Sequence, residues 1–254
     1  MTIFENLFSA ISRKLLPTSC IICESFQDLT LCAKCSRQLA TSCLLNYECC
    51  RQCGIHLHRH ELEQKRCQHC LNTPPYFDES YCLDRYDGSL QKALVQFKYQ
   101  KRLAMAHGLA LAWNQSTLRL MDHSGIRYLL PVPLSGEKLC WRGFNQSWEL
   151  AKRIQCQSSI EKNPHILLRH HDPKQQVGKN WKYRQSNIQN MFHINPRYIK
   201  SLKNETVIIF DDVMTSGATL NEIARILKDN GVSKVINWVL LRTMQPARSK
   251  AQDV

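Results

Sequence analysis

The chain has no run of about 18 apolar residues, so no transmembrane helix is expected. Its first residues, MTIFENLFSAISRKLL, lack the basic start, long apolar middle and small-residue cleavage site of a secretory leader, which reads as a mature cytoplasmic protein. It has no G-x-G-x-x-G, and its one phosphate-type loop contains no lysine, which excludes the dinucleotide loop and the G-x-x-x-x-G-K-[ST] P-loop. No tandem repeat is visible in the C-terminal part. Apolar residues make up 43% of the 254, enough for a packed core in one or two domains, so global disorder is also excluded.

Cysteine is scarce late in the chain and crowded early. Of thirteen, eleven lie between Cys20 and Cys82; only Cys140 and Cys156 follow. In a reducing compartment this does not read as a disulfide framework. Cys20-x2-Cys23 with Cys32-x2-Cys35, and Cys50-x2-Cys53 with Cys67-x2-Cys70, are two pairs of knuckles. Two knuckles make a tetrahedral four-thiolate site, which selects zinc over magnesium or calcium. A segment of about 55 residues has too little core to fold unaided, so about two structural zinc ions would supply its stability. Interleaved pairing of the knuckles, free buried thiols and iron–sulfur are the other readings. Cys43, Cys49, His56, His58, His60 and His69 are spare ligands; Cys49 could replace Cys50.

The net charge is +13 and favours polyanionic partners. Residues 1–75 hold eight Lys/Arg against six Asp/Glu, whereas 161–203 hold nine against two, so the excess lies late in the chain. The organisation follows. Residues 1–18 form an amphipathic helix with Phe4, Leu7, Phe8, Ile11 and Leu15 at helical spacing. Residues 19–73 are a double zinc-ribbon module, ended by Asn72-Thr73-Pro74-Pro75. Residues 76–243 alternate apolar runs with helical periodicity, the pattern of an α/β fold with a parallel sheet flanked by helices. Within it, Leu90, Leu94 and Phe97 mark a helix. Further helices are expected over 101–119 and 147–155, and strands over Tyr128–Val132, Val207–Phe210 and Val235–Leu241. Residues 244–254 are a polar tail.

Val207–Thr219 reads VIIFDDVMTSGAT: an apolar strand ending at Phe210, two acids, a turn through Val213–Gly217, and a helix entered near Ala218 with Leu220, Ile223, Ala224 and Leu227 inward. Unpaired N–H groups of such a turn and helix start make an anion site, reinforced by the helix dipole. Thr215, Ser216 and Thr219 add hydroxyls. Asp211 and Asp212 would repel phosphate, and make sense if they reach ribose hydroxyls or hydrated Mg2+. Taken singly, the acids could merely cap the turn. Leu130-Pro131-Val132-Pro133-Leu134, followed by Arg142-Gly143-Phe144-Asn145-Gln146, can offer backbone N–H groups and a guanidinium to pyrophosphate, or be an ordinary strand–helix connection. Gln176, Lys179, Trp181, Lys182, Arg184 and Asn187 fit a lid, a groove where aromatics stack on bases, or a plain loop.

The Val207–Thr219 string resembles the motif that binds phosphoribosyl pyrophosphate (PRPP) in type I phosphoribosyltransferases. The resemblance implies that Thr215, Ser216, Gly217, Ala218 and Thr219 hold the 5′-phosphate, with Val213 and Met214 completing the PRPP-binding stretch. It places Asp211 and Asp212 at the ribose hydroxyls, with Mg2+ on the pyrophosphate. Combined with Phe97-Lys98-Tyr99, the Pro-Val-Pro-Leu turn, Arg-Gly-Phe-Asn-Gln, and Gln176 with Arg184 and Asn187, the chain resembles the ComF/GntX-type competence proteins from the first cysteine pair to about Arg242. That family implies a type I phosphoribosyltransferase-like fold behind a cysteine-rich zinc module, and a role in uptake of single-stranded DNA during natural transformation. Relatives often place Gly after Phe-Lys-Tyr, where this chain has Gln100-Lys101.

Two functions are therefore expected. One is a binding protein for PRPP or phosphorylated ribose and for single-stranded DNA, in which Lys98 joins the polar residues of 176–187 on the polyanion and competence-machinery proteins are partners. The other is an active Mg2+-dependent phosphoribosyltransferase with Asp211, Asp212 and Arg142 as catalytic residues and no acceptor pocket legible.

Overall fold

The computed structural model describes residues 18–117, 123–170 and 191–244. The expected N-terminal helix, the polar residues Gln176, Lys179, Trp181, Lys182, Arg184 and Asn187, and residues 245–254 of the tail lie outside the described residues.

The cysteine-rich part consists of a two-residue ribbon, β1 (Thr18–Ser19) and β2 (Phe26–Gln27), then helices α1 (Ala33–Ser42) and α2 (Gln68–Asn72) joined by turns. Then follow β3 (Glu79–Arg85), α3 (Gln91–Tyr99), α4 (Met105–Thr117), β4 (Ile126–Pro131), α5 (Gly136–Arg142), α6 (Gln146–Ala151), β5 (Glu161–Lys162), β6 (Leu167–Arg169), β7 (Phe192–Ile194), α7 (Ile199–Leu202), β8 (Thr206–Met214), α8 (Ala218–Asp229) and β9 (Lys234–Arg242). Five strands form one parallel sheet in the order β3-β9-β8-β4-β5; β6 and β7 pair antiparallel beside it.

β8 lies in the middle, and Val207–Phe210 have no solvent exposure. A strand covered on both faces needs apolar residues throughout, which is why this run does not alternate. Its side chains still point alternately up and down. Ile208 and Phe210 join Leu94, Phe97, Trp113 and Leu150 of α3, α4 and α6, while Val207 and Ile209 join Leu220, Ile223, Ala224 and Leu227 of α8. Each such side chain contributes about 1.5–3 kcal/mol by leaving water. The cysteine-rich part shares these cores: Cys20, Ile21, Cys35 and Leu39 lie in the first cluster, Cys50, Cys53, Cys67 and Cys70 in the second.

Several boundaries differ from the sequence reading. The central strand does not stop at Phe210 but runs to Met214, because β9 keeps pairing with it: Asp211 faces Val239 and Val213 faces Leu241. The acids are therefore strand residues, and the turn is confined to 215–217. The helix expected over 101–119 starts at Met105. The one expected over 147–155 closes at Ala151, although Ile154 stays buried in the following turns. β3 was not expected at all: ESYCLDR reads as polar, yet Glu79, Ser80 and Asp84 are buried with it, Glu79 held by Arg51 and Lys234.

Candidate functional site

The chain leaves β4 toward β5 on one side of the sheet and leaves β8 toward β9 on the other. Connections that diverge from two neighbouring parallel strands open a crevice at their carboxyl ends, where sheets of this kind bind ligands. Pro131 pairs with Phe210 at its floor, and the Val132 N–H donates to the Phe210 carbonyl at 2.9 Å. The β4–α5–α6 segment forms one wall; the β8–α8 turn forms the other.

Asp211 and Asp212 stand on this floor, 9% and 3% exposed. Adjacent strand residues point to opposite faces, so each finds its own partner. The Ser147 hydroxyl, fully buried in the first turn of α6, donates to Asp211 Oδ1 at 3.0 Å, and the Asp212 N–H donates to the same oxygen at 2.9 Å. Lys98, near the end of α3, is 15% exposed in its side chain and makes an ion pair with Asp212. Burial pushes the Asp211 carboxyl up to about 6 against the opposing pull of Lys98 and Ser147. Burial likewise pushes Lys98 down to about 8, with Asp211 favouring its charge and Arg142 and Lys138 opposing it. Both groups are thus held in charged forms that desolvation disfavours, as is common where a ligand completes the site.

Arg142 is the last residue of α5, which Gly143 closes at φ 85°. The residue is 7% exposed; its guanidinium donates from Nη1 to the Gln146 side-chain oxygen and has no hydrogen-bond acceptor for Nε among the described residues. Burial pushes its pKa down. A buried cation with an unmet donor is an anion-binding arrangement. Asn145 fixes the turn beside it: its side-chain oxygen accepts from Ser147 and Trp148 N–H, and its Nδ2 donates to the Val132 carbonyl at 3.1 Å.

On the opposite wall, Thr215 and Ser216 are exposed, and Gly217 adopts φ 80° immediately before α8. The Ser216 hydroxyl accepts from Ala218 N–H at 3.3 Å. A Cβ at Gly217 would stand 2.7 Å from the Met214 terminal methyl, which can swing aside, so it is the left-handed backbone that demands glycine at this turn. Val213 is half-buried, Met214 buried, and Ala218 and Thr219 half-buried.

Arg242, at the end of β9 and 6% exposed, was not singled out from the sequence. Its Nη1 donates to the carbonyls of Met214 (3.0 Å), Thr215 and Thr243 (2.8 Å), and its Nε to the Cys53 carbonyl at 2.7 Å. It ties the base of the 215–217 turn to the second cysteine set. Ser147 was likewise missed as a site residue; its place beside the Arg-Gly-Phe-Asn-Gln motif was the available signal.

The structure thus gathers Lys98, Ser147, Asp211 and Asp212 at the carboxyl ends of β4 and β8, with Arg142 close enough to weigh on the charge of Lys98, while the 215–217 turn follows directly from the end of β8. Elsewhere, Cys20, Cys23, Cys32 and Cys35 converge, as do Cys50, Cys53, Cys67 and Cys70, with all sulfurs of a set within 4.8 Å. A zinc–sulfur bond of 2.3 Å in a tetrahedron requires sulfurs about 3.8 Å apart; Cys23–Cys32 are at 3.9 Å and Cys53–Cys67 at 3.6 Å. Backbone N–H groups point at the sulfurs, as Cys35 to Cys32 (3.3 Å) and Cys67 to Cys50 (3.3 Å). The donor sets fit zinc, and the knuckles pair sequentially rather than interleaved. Cys49 stands apart, its sulfur 3.8 Å from His56 Nδ1.

Among known proteins, the family model "Phosphoribosyl transferase domain" matches residues 169–254. The "DNA utilization protein YhgH" of Escherichia coli K12 is 28% identical over 221 residues, 84% of this chain and 91% of that one. "Competence protein F" of Haemophilus influenzae is 27% identical over 228 residues, covering 84% and 90%. "Competence protein ComFC" of Bacillus subtilis is 26% identical over 159 residues, 62% of each chain. No described helix is long and apolar enough to cross a membrane.

Proposed function

We propose that the chain is a ComF-type, phosphoribosyltransferase-like protein that binds PRPP with Mg2+ in the β4–β8 crevice and handles single-stranded DNA during natural competence. One observation carries the reading: two buried acids lie in the last paired stretch of the central strand, two residues before the short glycine turn that opens α8. In this reading the 5′-phosphate rests on the 215–219 turn, on its hydroxyls and on the first N–H groups of α8. Asp211 and Asp212 hold the ribose hydroxyls, and Arg142, with its unmet Nε donor, receives the pyrophosphate. The two carboxylates also suit a hydrated Mg2+, which when bound neutralises the pyrophosphate charge. Lys98 balances the acids until the ligand arrives.

The incoming polymer follows from the basic excess of the chain and from the relatives named for competence and DNA utilization. Residues 19–73 form a module held by two structural zinc ions, and 76–243 a phosphoribosyltransferase-like domain; the protein works in the cytoplasm beside other competence proteins. Arg142 also favours a second reading, active transfer. There the bond from ribose C1 to pyrophosphate oxygen breaks, pyrophosphate leaves with the electron pair against Arg142, and an acceptor that loses a proton bonds to C1.

Calorimetric titration with PRPP/Mg2+ and with a short single strand of DNA, on wild type and on Asp211→Asn/Asp212→Asn, tests this. PRPP should bind wild type and fail on the double variant. An unaltered PRPP affinity in the variant would sink the assignment. Pyrophosphate release with a nucleobase or amine acceptor would favour transfer.

A further inference from the structure

Two large aromatic rings stand in solvent at the rim of the crevice. Tyr99, directly after Lys98, is 59% exposed, and Trp141, directly before Arg142, is 51% exposed. Isolated exposed aromatics need no explanation, but these are neighbours, with ring centroids 6.2 Å apart and planes at 57°. Each ring also carries a cation. Lys101 Nζ lies 5.4 Å from the Trp141 centroid, and the Arg142 guanidinium carbon 5.9 Å from that of Tyr99. Lys101 reaches this place from a left-handed backbone, φ 55°, which costs a non-glycine residue energy. Leu103 and Leu139, both about two-fifths exposed, extend the apolar surface.

We propose that Tyr99, Trp141 and Lys101, with the Tyr99-facing edge of Arg142, form a stacking platform for bases of single-stranded DNA, adjoining the phosphate crevice. Aromatic faces beside cations are what a strand of unpaired bases and phosphates needs. The tilt between the rings keeps one base from covering both, so two successive bases each rest on a ring. A duplex hides its base faces and cannot use the platform. Charge points to nucleic acid rather than to an apolar protein partner: the chain carries +13, and Lys101 and Arg142 sit on the rings themselves. Arg142 belongs to both places, so the strand would pass from the platform toward the crevice. That direction rests on the PRPP reading; the platform itself does not.

The test is fluorescence anisotropy with a labelled oligothymidylate of about 15 nucleotides, an abasic strand of the same length and a duplex, at about 0.15 M salt. The proteins are wild type, Tyr99→Ala, Trp141→Ala, the double alanine variant, Tyr99→Phe, Trp141→Phe and Lys101→Ala. All three positions are exposed, so folding should survive; circular dichroism and PRPP/Mg2+ calorimetry on each variant check that. Tyr99→Ala and Trp141→Ala should each lower oligothymidylate affinity at least about fivefold, and Lys101→Ala should lower it as well. The phenylalanine variants should restore it, and abasic strand and duplex should bind weakly to every protein alike. Equal binding of base-bearing and abasic strands by wild type, or wild-type affinity in the double alanine variant, would overturn the platform. If wild type binds no PRPP while the alanines still abolish base-dependent binding, the PRPP reading falls and the platform stands. If PRPP binds throughout and the alanines change nothing, the platform falls alone.

Discussion

The Arg242 Nε–H donates to the Cys53 carbonyl at 2.7 Å, so the residue that anchors the 215–217 turn also holds a backbone group between two cysteines of the second set. A planar guanidinium satisfies acceptors on both sides at once, which an ammonium cannot do from one point. Arg242→Lys should therefore strand buried carbonyls and cost about 2–4 kcal/mol in chemical denaturation, through lost charged hydrogen bonds. A variant as stable as wild type would remove this anchoring role.

The same bond should couple the turn to the zinc that the second cysteine set fits. Elemental analysis should find about two zinc ions per chain. Stripping them with a strong chelator should lower the melting temperature and speed amide exchange at 50–70 and also at 214–217. Exchange confined to the cysteine-rich part would show that Arg242 does not couple the two.

Asp211 should set a pH dependence of stability. Its carboxyl is near 6 when folded and near 3.8 when unfolded, so between these values the folded state binds more protons and stability falls as pH rises. Asp211→Asn removes that slope. At neutral pH it should be more stable than wild type, by on the order of 1–3 kcal/mol, while its PRPP/Mg2+ affinity falls at least about tenfold. Denaturant midpoints at pH 4.5 and 7.5, chosen on either side of about 6, measure the difference. Parallel curves for the two proteins would contradict it.

Ser147→Ala deletes a donor to the ionised Asp211 and should move its titration upward. The pH at which PRPP/Mg2+ binding sets in should rise with it, while affinity well above that pH stays within a few-fold of wild type. An onset that does not move would mean Ser147 serves packing alone.

Gly217→Ala places a Cβ at φ 80° and against Met214. A loss of about 1–2 kcal/mol is expected from the backbone alone, with a larger proportional loss of phosphate affinity in calorimetry. Unchanged affinity would show the turn to be remote from the ligand.

Much of this site was legible because its signals are local. The apolar run 207–210 is what double burial requires, and Leu220, Ile223, Ala224 and Leu227 repeat at helical spacing. The strand's true end was not local: β9 decides it by pairing on past the acids. β3 escaped because Glu79 is neutralised by Arg51 and Lys234, distant in sequence, and Ser80 binds Asn237. Arg242 escaped for the same reason, since nothing beside it in the chain shows which carbonyls it meets.

The strand order has a consequence for synthesis. β9, the last of the described strands, pairs with β3, and Ser80 meets Asn237 across 157 residues. At ribosomal rates of about 5–20 residues per second, β3 leaves the ribosome roughly 8–30 s before its neighbour exists. During that interval the groups of β3 that will pair with β9 are open to any other strand in reach, while on its other side the Ser80 N–H can already donate to the Arg51 carbonyl of the cysteine-rich part, so that part guards one edge of the strand and leaves the other waiting.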